Sequence, residues 1–171
     1  MILIVILILI FGGLAVFLLT FAKTFSQTEY TNLYVHNLLL TVMRTDTGYT
    51  DSRCRLVSDT LGCAFFESDW KCGGSGPRCL DLANETVRQD VESFEMIQKS
   101  YRYLFIAKPE YLAGGEIMNP VTNEPLRIKI GDASLENEKA GKVVANEEVQ
   151  KSSARGPIVI RAQLIVSQKP G

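Results

Sequence analysis

The sequence predicts an α+β chain. A long N-terminal helix leads into a cysteine-bearing loop and a second helix, and an antiparallel sheet of about four strands follows. Three observations carry this. Residues 1–22 hold a single polar side chain, Thr20, and the first charge is Lys23. All four cysteines fall between Cys54 and Cys79. From Tyr101 onward the hydrophobic period changes from 3.6 to 2, the signature of strands.

The first helix is expected to run from residue 1 to about residue 45, roughly 65 Å at the helical rise. Its first half is apolar all round and long enough for a bilayer core, which about 20 helical residues cross. A soluble core helix would show a polar face, and none is present. The second half, residues 23–45, carries Tyr30, Leu33, Tyr34, Leu38, Leu39, Leu40, Val42 and Met43 at spacings of three and four. Gly48 lies just past the expected end. The lone histidine, His36, sits on this half and suits a surface hydrogen bond better than a metal.

The irregular segment after it is expected to hold a short helix over 53–61 and a turn at "GGSGP". "LDLANETVRQDVESFEMIQKS" then reads as one helix. It buries Leu80, Ala83, Val87, Val91, Phe94 and Ile97, and turns Asp81, Glu85, Arg88 and Glu92 to water. Strands follow at "YRYLFIA", "PLRIKIG", "KVVANEEVQK" and "PIVIRAQLIVSQ", with a short helix opened by Asp132 between the second and third. "SSARG" has the length and chemistry of a hairpin turn. The last strand aligns Ile158, Ile160, Ala162, Leu164 and Val166 on one face and carries Val159 and Ile165 on the other. It should therefore be central, with its second face partly covered, by neighbouring subunits on this reading. Residues 1–45 form one expected unit and residues 46–171 an extracytoplasmic domain of ordinary size.

The charge balance of 18 basic and 19 acidic residues, net −1, leaves no basic footprint for nucleic acid. The cysteine spacing is Cys-x8-Cys-x8-Cys-x6-Cys, without the CxxC knuckle of a zinc site and with no histidine near it. Two disulfides among Cys54, Cys63, Cys72 and Cys79 are expected, which implies an oxidising compartment. Three pairings are open. A helix over 53–61 would hold Cys54 and Cys63 about 13 Å apart, beyond the roughly 7 Å that a disulfide bridges. That favours pairs reaching across "FFESDWK".

No catalytic constellation is expected. Glu147 and Glu148, and Glu136 and Glu138, lie on charged stretches with no apolar pocket to shift a pKa. The chain has no G-x-S-x-G, and "GGSG" lacks the lysine of a phosphate loop. No cofactor or metal is expected. "NET" makes Asn84 a glycosylation candidate on an exported domain.

The N-terminal run has no basic region ahead of it and no A-x-A-like cleavage site. Lys23 after the run would by itself keep the domain in the cytoplasm, against the cysteines. A short basic leader removed ahead of Met1 reconciles the two.

An uncharged apolar N-terminus running into one long helix, followed by a stapled loop and an antiparallel sheet, resembles a type IV pilin. The resemblance rests on architecture rather than on a specific motif. It implies a leader removed by a membrane peptidase, after which the apolar helix packs into a filament core. In that family the helix commonly breaks at Gly or Pro when subunits leave the bilayer, and Gly12 and Gly13 stand where such a break would be tolerated. Many bacterial pilins carry a glutamate near position five; this chain has Val5 and no acid before Glu29. Archaeal pilins and archaellins do not all keep it, so the departure points to an archaeal version.

Two functional readings follow. The first is a structural subunit of an extracellular filament, anchored in the membrane before assembly, with identical subunits as partners. Gly12, Gly13 and Ala15 would then allow close helix packing. The second is a single-pass membrane anchor presenting an extracytoplasmic binding or assembly domain.

Overall fold

The structure, a computed structural model, describes residues 2–67, 69–119, 122–139, 141–153 and 156–169; the side chains of 2–10, 21–28 and 152–153 are left aside. The fold is α+β, with a four-stranded antiparallel sheet. Contacts divide the chain into two units, one through Tyr34 and the other from Val35 onward.

Helix α1 spans Ile2–Arg44, with neither proline nor a capping glycine to stop it earlier. Among the residues whose side chains are described, no helix is long and apolar enough to cross a membrane; the expected run over 1–22 falls partly outside them. Val35, Leu38, Leu39, Val42 and Met43 are all buried in the second unit. Their spacing of i, i+3, i+4, i+7 and i+8 is a single helical stripe. Tyr30 and Leu33, expected on the same stripe, are exposed and belong to the first unit. Leu38, Leu39, Val42 and Met43 are buried as expected; Val35 joins them, while Tyr34 and Leu40 are half-buried.

Helix α2 runs Val57–Phe66, four residues later than expected. Asp51 accounts for the shift. Its side chain accepts from the Arg53 N–H at 3.0 Å and its carbonyl from the Cys54 N–H at 2.9 Å, closing a turn over 51–54. Asp59 then caps the true start by accepting from the Leu56 N–H at 3.2 Å.

The next helical stretch is two helices, α3 (Cys79–Ser93) and α4 (Glu95–Ser100), where the sequence reads as one. Phe94 between them is extended. Ser93 Oγ donates to the Asp90 carbonyl at 2.7 Å, competing for a last-turn acceptor. Ala83, Val87, Val91 and Ile97 are buried as expected and Leu82 with them. Leu80 and Phe94, expected to be buried, are half-buried, because the helix breaks at Phe94 and Leu82 takes the inner face of the first turns.

The sheet comprises β1 (Tyr101–Tyr111), β2 (Ile128–Gly131), β3 (Lys142–Ser153) and β4 (Gly156–Gln168), in the order β2-β1-β4-β3. Strand β4 is central, between β1 and β3, in one long register: Phe105 and Ala145 flank Leu164. Pairing brings Phe105, Ala107, Ala145, Ile160, Ala162, Leu164 and Val166 to one buried face. Helix α2 lies on that face; a Cβ on its Gly62 would sit 3.5 Å from Ile160, and Asp59 pairs with Lys151 of β3.

The second face carries its own small core of Leu104, Ile106 and Ile165 around Leu135. Leu135 comes from a 3-10 turn, Ala133–Glu136, opened by Asp132, whose side chain accepts from the Ser134 N–H at 3.0 Å. The chain's own insertion thus covers part of the face assigned to neighbouring subunits.

Gly131, at the end of β2, has φ +107°, and a Cβ there would lie 2.4 Å from the Tyr103 carbonyl oxygen. We expect Gly131→Ala to destabilise by about 1–3 kcal/mol, read as an earlier unfolding midpoint in denaturant; an unchanged midpoint would show that β2 pairs with β1 more loosely than this.

Candidate functional site

Two features bear on function: the cysteine segment and the apolar stretch of α1. The four cysteines sit on four different local structures. Cys54 ends the Asp51 turn, Cys63 lies in α2, Cys72 opens a tight turn, and Cys79 is the first residue of α3. The turn closes through Cys72 N–H to Pro77 O at 3.0 Å and Gly76 N–H to Cys72 O at 2.9 Å. Gly76 is required there, since a Cβ would meet the Cys72 oxygen at 2.2 Å.

Disulfides join Cys54 to Cys72 and Cys63 to Cys79, with Cα separations of 5.8 and 5.7 Å. Both reach across the loop after α2, as the spacing favours, and their order in the chain is interleaved. All four cysteines are buried. The two disulfides also touch, because Cys79 Sγ lies 3.9 Å from both Cys54 Sγ and Cys72 Sγ.

An exposed shell closes over this cluster. The Arg53 guanidinium stacks 4.0 Å from the Trp70 ring and pairs with Glu67 at 2.6 Å. The Trp70 indole N–H donates to Asp51 at 3.1 Å. The Arg53 backbone N–H, and after it this indole, hold the Asp51 carboxyl below its ordinary pKa. A carboxylate so depressed contributes its stability above the unfolded pKa and loses it as pH falls through the folded one. The shell is therefore weakest in acid.

Helix α1 presents the second feature. Phe11, Leu14, Val16, Phe17, Leu18 and Leu19 are all exposed, from 51 % for Leu14 to 73 % for Leu19. At 100° per residue these positions point in every direction around the axis. Gly12 and Gly13 lie among them, with nothing beyond their chain neighbours and the surrounding helix backbone within 4 Å of where a Cβ would be, and Ala15 is exposed.

The other residues of interest are dispersed. His36 is exposed, and Asn84 is half-buried on α3. Glu136 pairs with Arg127 and Lys129, Glu138 with Arg102, and Glu148 with Arg161. A cleft of about 530 Å³ is lined by Arg88, Tyr101, Arg102, Tyr103, Asp132 and Lys169, among others. Several of its groups are engaged with neighbours. Arg102 pairs with Asp132 at 3.2 Å and Glu138 at 2.8 Å, and Lys169 donates to the Gln98 carbonyl. Tyr103 donates to Glu92 at 2.9 Å, and burial, with this bond, raises its pKa. The sequence reading missed this cleft, whose lining comes from five separate stretches with no common spacing.

No protein-family model, no curated protein and no solved structure matches the chain.

Proposed function

We propose that this chain is a structural subunit of an extracellular, pilus-like filament that polymerises through its apolar N-terminal helix. The observation that carries this reading is the all-round exposure of large apolar side chains over Phe11–Leu19, on the same helix that contributes Val35–Met43 to a protein core. Exposed apolar surface of this extent marks a buried interface or a lipid contact. A helix that only anchors a domain needs hydrophobic length and nothing more. A helix that also contributes to a domain core makes polymerisation and the domain parts of one continuous element.

Gly12, Gly13 and Ala15 support close approach of identical helices, as small residues do in apolar surroundings. The open space around both glycines leaves room for such a neighbour. The disulfides fit an oxidising, extracytoplasmic compartment. Before assembly the apolar segment resides in the membrane.

Replacing Gly12 and Gly13 with Leu tests the packing. Leucine favours membrane insertion, so the variant should reach the membrane at the wild-type level while sheared extracts lose their filaments under the electron microscope. Filaments of normal number from the variant would remove the packing role. Wild-type chain found only in the membrane fraction would leave the single-pass anchor as the function.

A further inference from the structure

We propose that the cleft beside the start of β1 binds a carbohydrate that carries a carboxylate, a uronic acid. The register of the sheet creates the cleft. Strand β2 covers β1 only from Leu104 to Ala107, so Tyr101, Arg102 and Tyr103 run on past its end. Beyond Gly131 the chain keeps one bond to this edge, from the Asp132 N–H to the Tyr103 carbonyl at 2.8 Å. It then leaves in the 3-10 turn that follows. Gly131 permits this departure, since a Cβ there would also press on the Tyr103 ring at 3.0 Å. Arg88 and Glu92 of α3, Ile97 and Gln98 of α4, and Lys169 after β4 complete the walls of a cleft of about 530 Å³. That is within the range of about 300–1,000 Å³ that holds small molecules.

The charges select the ligand. Arg102 is committed to Asp132 and Glu138. Among the described residues, Arg88 makes no hydrogen bond or ion pair, and Lys169 donates to the Gln98 carbonyl but meets no carboxylate. Glu92 lines the cleft without a cation paired to it there, one of its oxygens accepting from Tyr103 at 2.9 Å. Two uncompensated cations against one carboxylate leave a surplus of one positive charge. This suits a single carboxylate, held by charge-assisted bonds from Arg88 and Lys169. A doubly charged phosphate ester would leave one charge unmatched and would be repelled by Glu92.

The rest of the lining suits a sugar ring. Tyr101 and Tyr103 stand two residues apart on one side of β1. With buried Ile97 they supply apolar surface for the C–H faces of a pyranose. The second oxygen of Glu92 accepts from sugar hydroxyls, and the Gln98 amide both donates and accepts. The backbone adds to this. The Tyr103 carbonyl points towards β2, so Tyr101, two residues earlier, turns its own N–H and carbonyl to the same side. The register gives that side of Tyr101 no strand partner. The whole cleft lies in the unit from Val35 onward, so the site stands whether or not the chain polymerises.

The full chain, in a detergent without sugar headgroups, should transfer NMR saturation to the ring protons of methyl glucuronide. Methyl glucoside, with a hydroxymethyl group in place of the carboxylate, should receive none. Arg88→Gln and Lys169→Gln should each raise the dissociation constant roughly 3- to 5-fold, as loss of one exposed ion pair does. Lys71→Gln, at an exposed lysine outside the cleft, should leave it unchanged. All three variants should keep wild-type trypsin resistance, because the replaced side chains are exposed. No transfer to methyl glucuronide, equal transfer to methyl glucoside, or an unchanged constant in both cleft variants would each overturn the site. Tighter binding of inorganic phosphate or of a glutamate-rich peptide would overturn the sugar as its ligand.

Discussion

Leu164→Asp should yield no protease-resistant domain. Leu164 is fully buried on central strand β4, between Phe105 and Ala145 on the helix-covered face. Nothing at that position can pair with a carboxylate without opening the sheet. Losing the leucine from the core removes about 2–5 kcal/mol, and an uncompensated buried charge adds about 3–5 kcal/mol. Together these reach the whole stability of an ordinary domain, about 5–15 kcal/mol. Val159→Asp, on the opposite and partly exposed face of the same strand, should cost far less and serves as the control. Limited trypsin digestion of both variants decides it. Wild-type resistance of Leu164→Asp would mean that this face of β4 is not core.

Removing a disulfide has the next largest effect. The two bonds close loops with sequence separations of 18 and 16, and chain entropy assigns about 3 kcal/mol to either. Cys63→Ala with Cys79→Ala should lower the thermal midpoint by roughly 6–12 °C. The two contributions are not additive, because the loops overlap and one bond already restricts the chain that the other would close. Intact-mass measurement after alkylation without reductant should find no modified thiol in the wild type. Peptide mapping should join Cys54 to Cys72 and Cys63 to Cys79. Four alkylated thiols would remove both bonds from the native state, and a linked Cys54–Cys79 pair would overturn the connectivity.

Much of the fold was legible because it follows from period. Ile158 through Val166 announce a strand by alternation alone, and Val87 and Val91 announce a helix face by spacing. Asp132 was readable as a helix opener because a side-chain cap is a local bond between near neighbours. What escaped was set by contacts at longer range or by competing local bonds. Leu135 gives no sign in its own segment that it will cover Leu104, Ile106 and Ile165, which come from two other strands. The break at Phe94 has no proline or glycine to mark it, and Ser93 produces it by taking a carbonyl from the helix ladder. The start of α2 moved because Asp51 closed a turn where a helix had equal local support. The cysteine pairing was open for the same reason: spacing restricts Cα distances only after the local structure is known.

The interleaved order of the disulfides has a consequence for the chain as a covalent graph. A single backbone cut between residues 54 and 63 is spanned by the Cys54–Cys72 bond, and one between 72 and 79 by the Cys63–Cys79 bond. A cut between 63 and 72 is spanned by both. No single scission anywhere from residue 54 to residue 79 can separate the N-terminal helix from the sheet. A protease can therefore cut at exposed Trp70 or its neighbours while the two parts stay tethered. Such a nick would leave the mass of the non-reduced chain larger by one water for each cut, and two fragments would appear only after reduction.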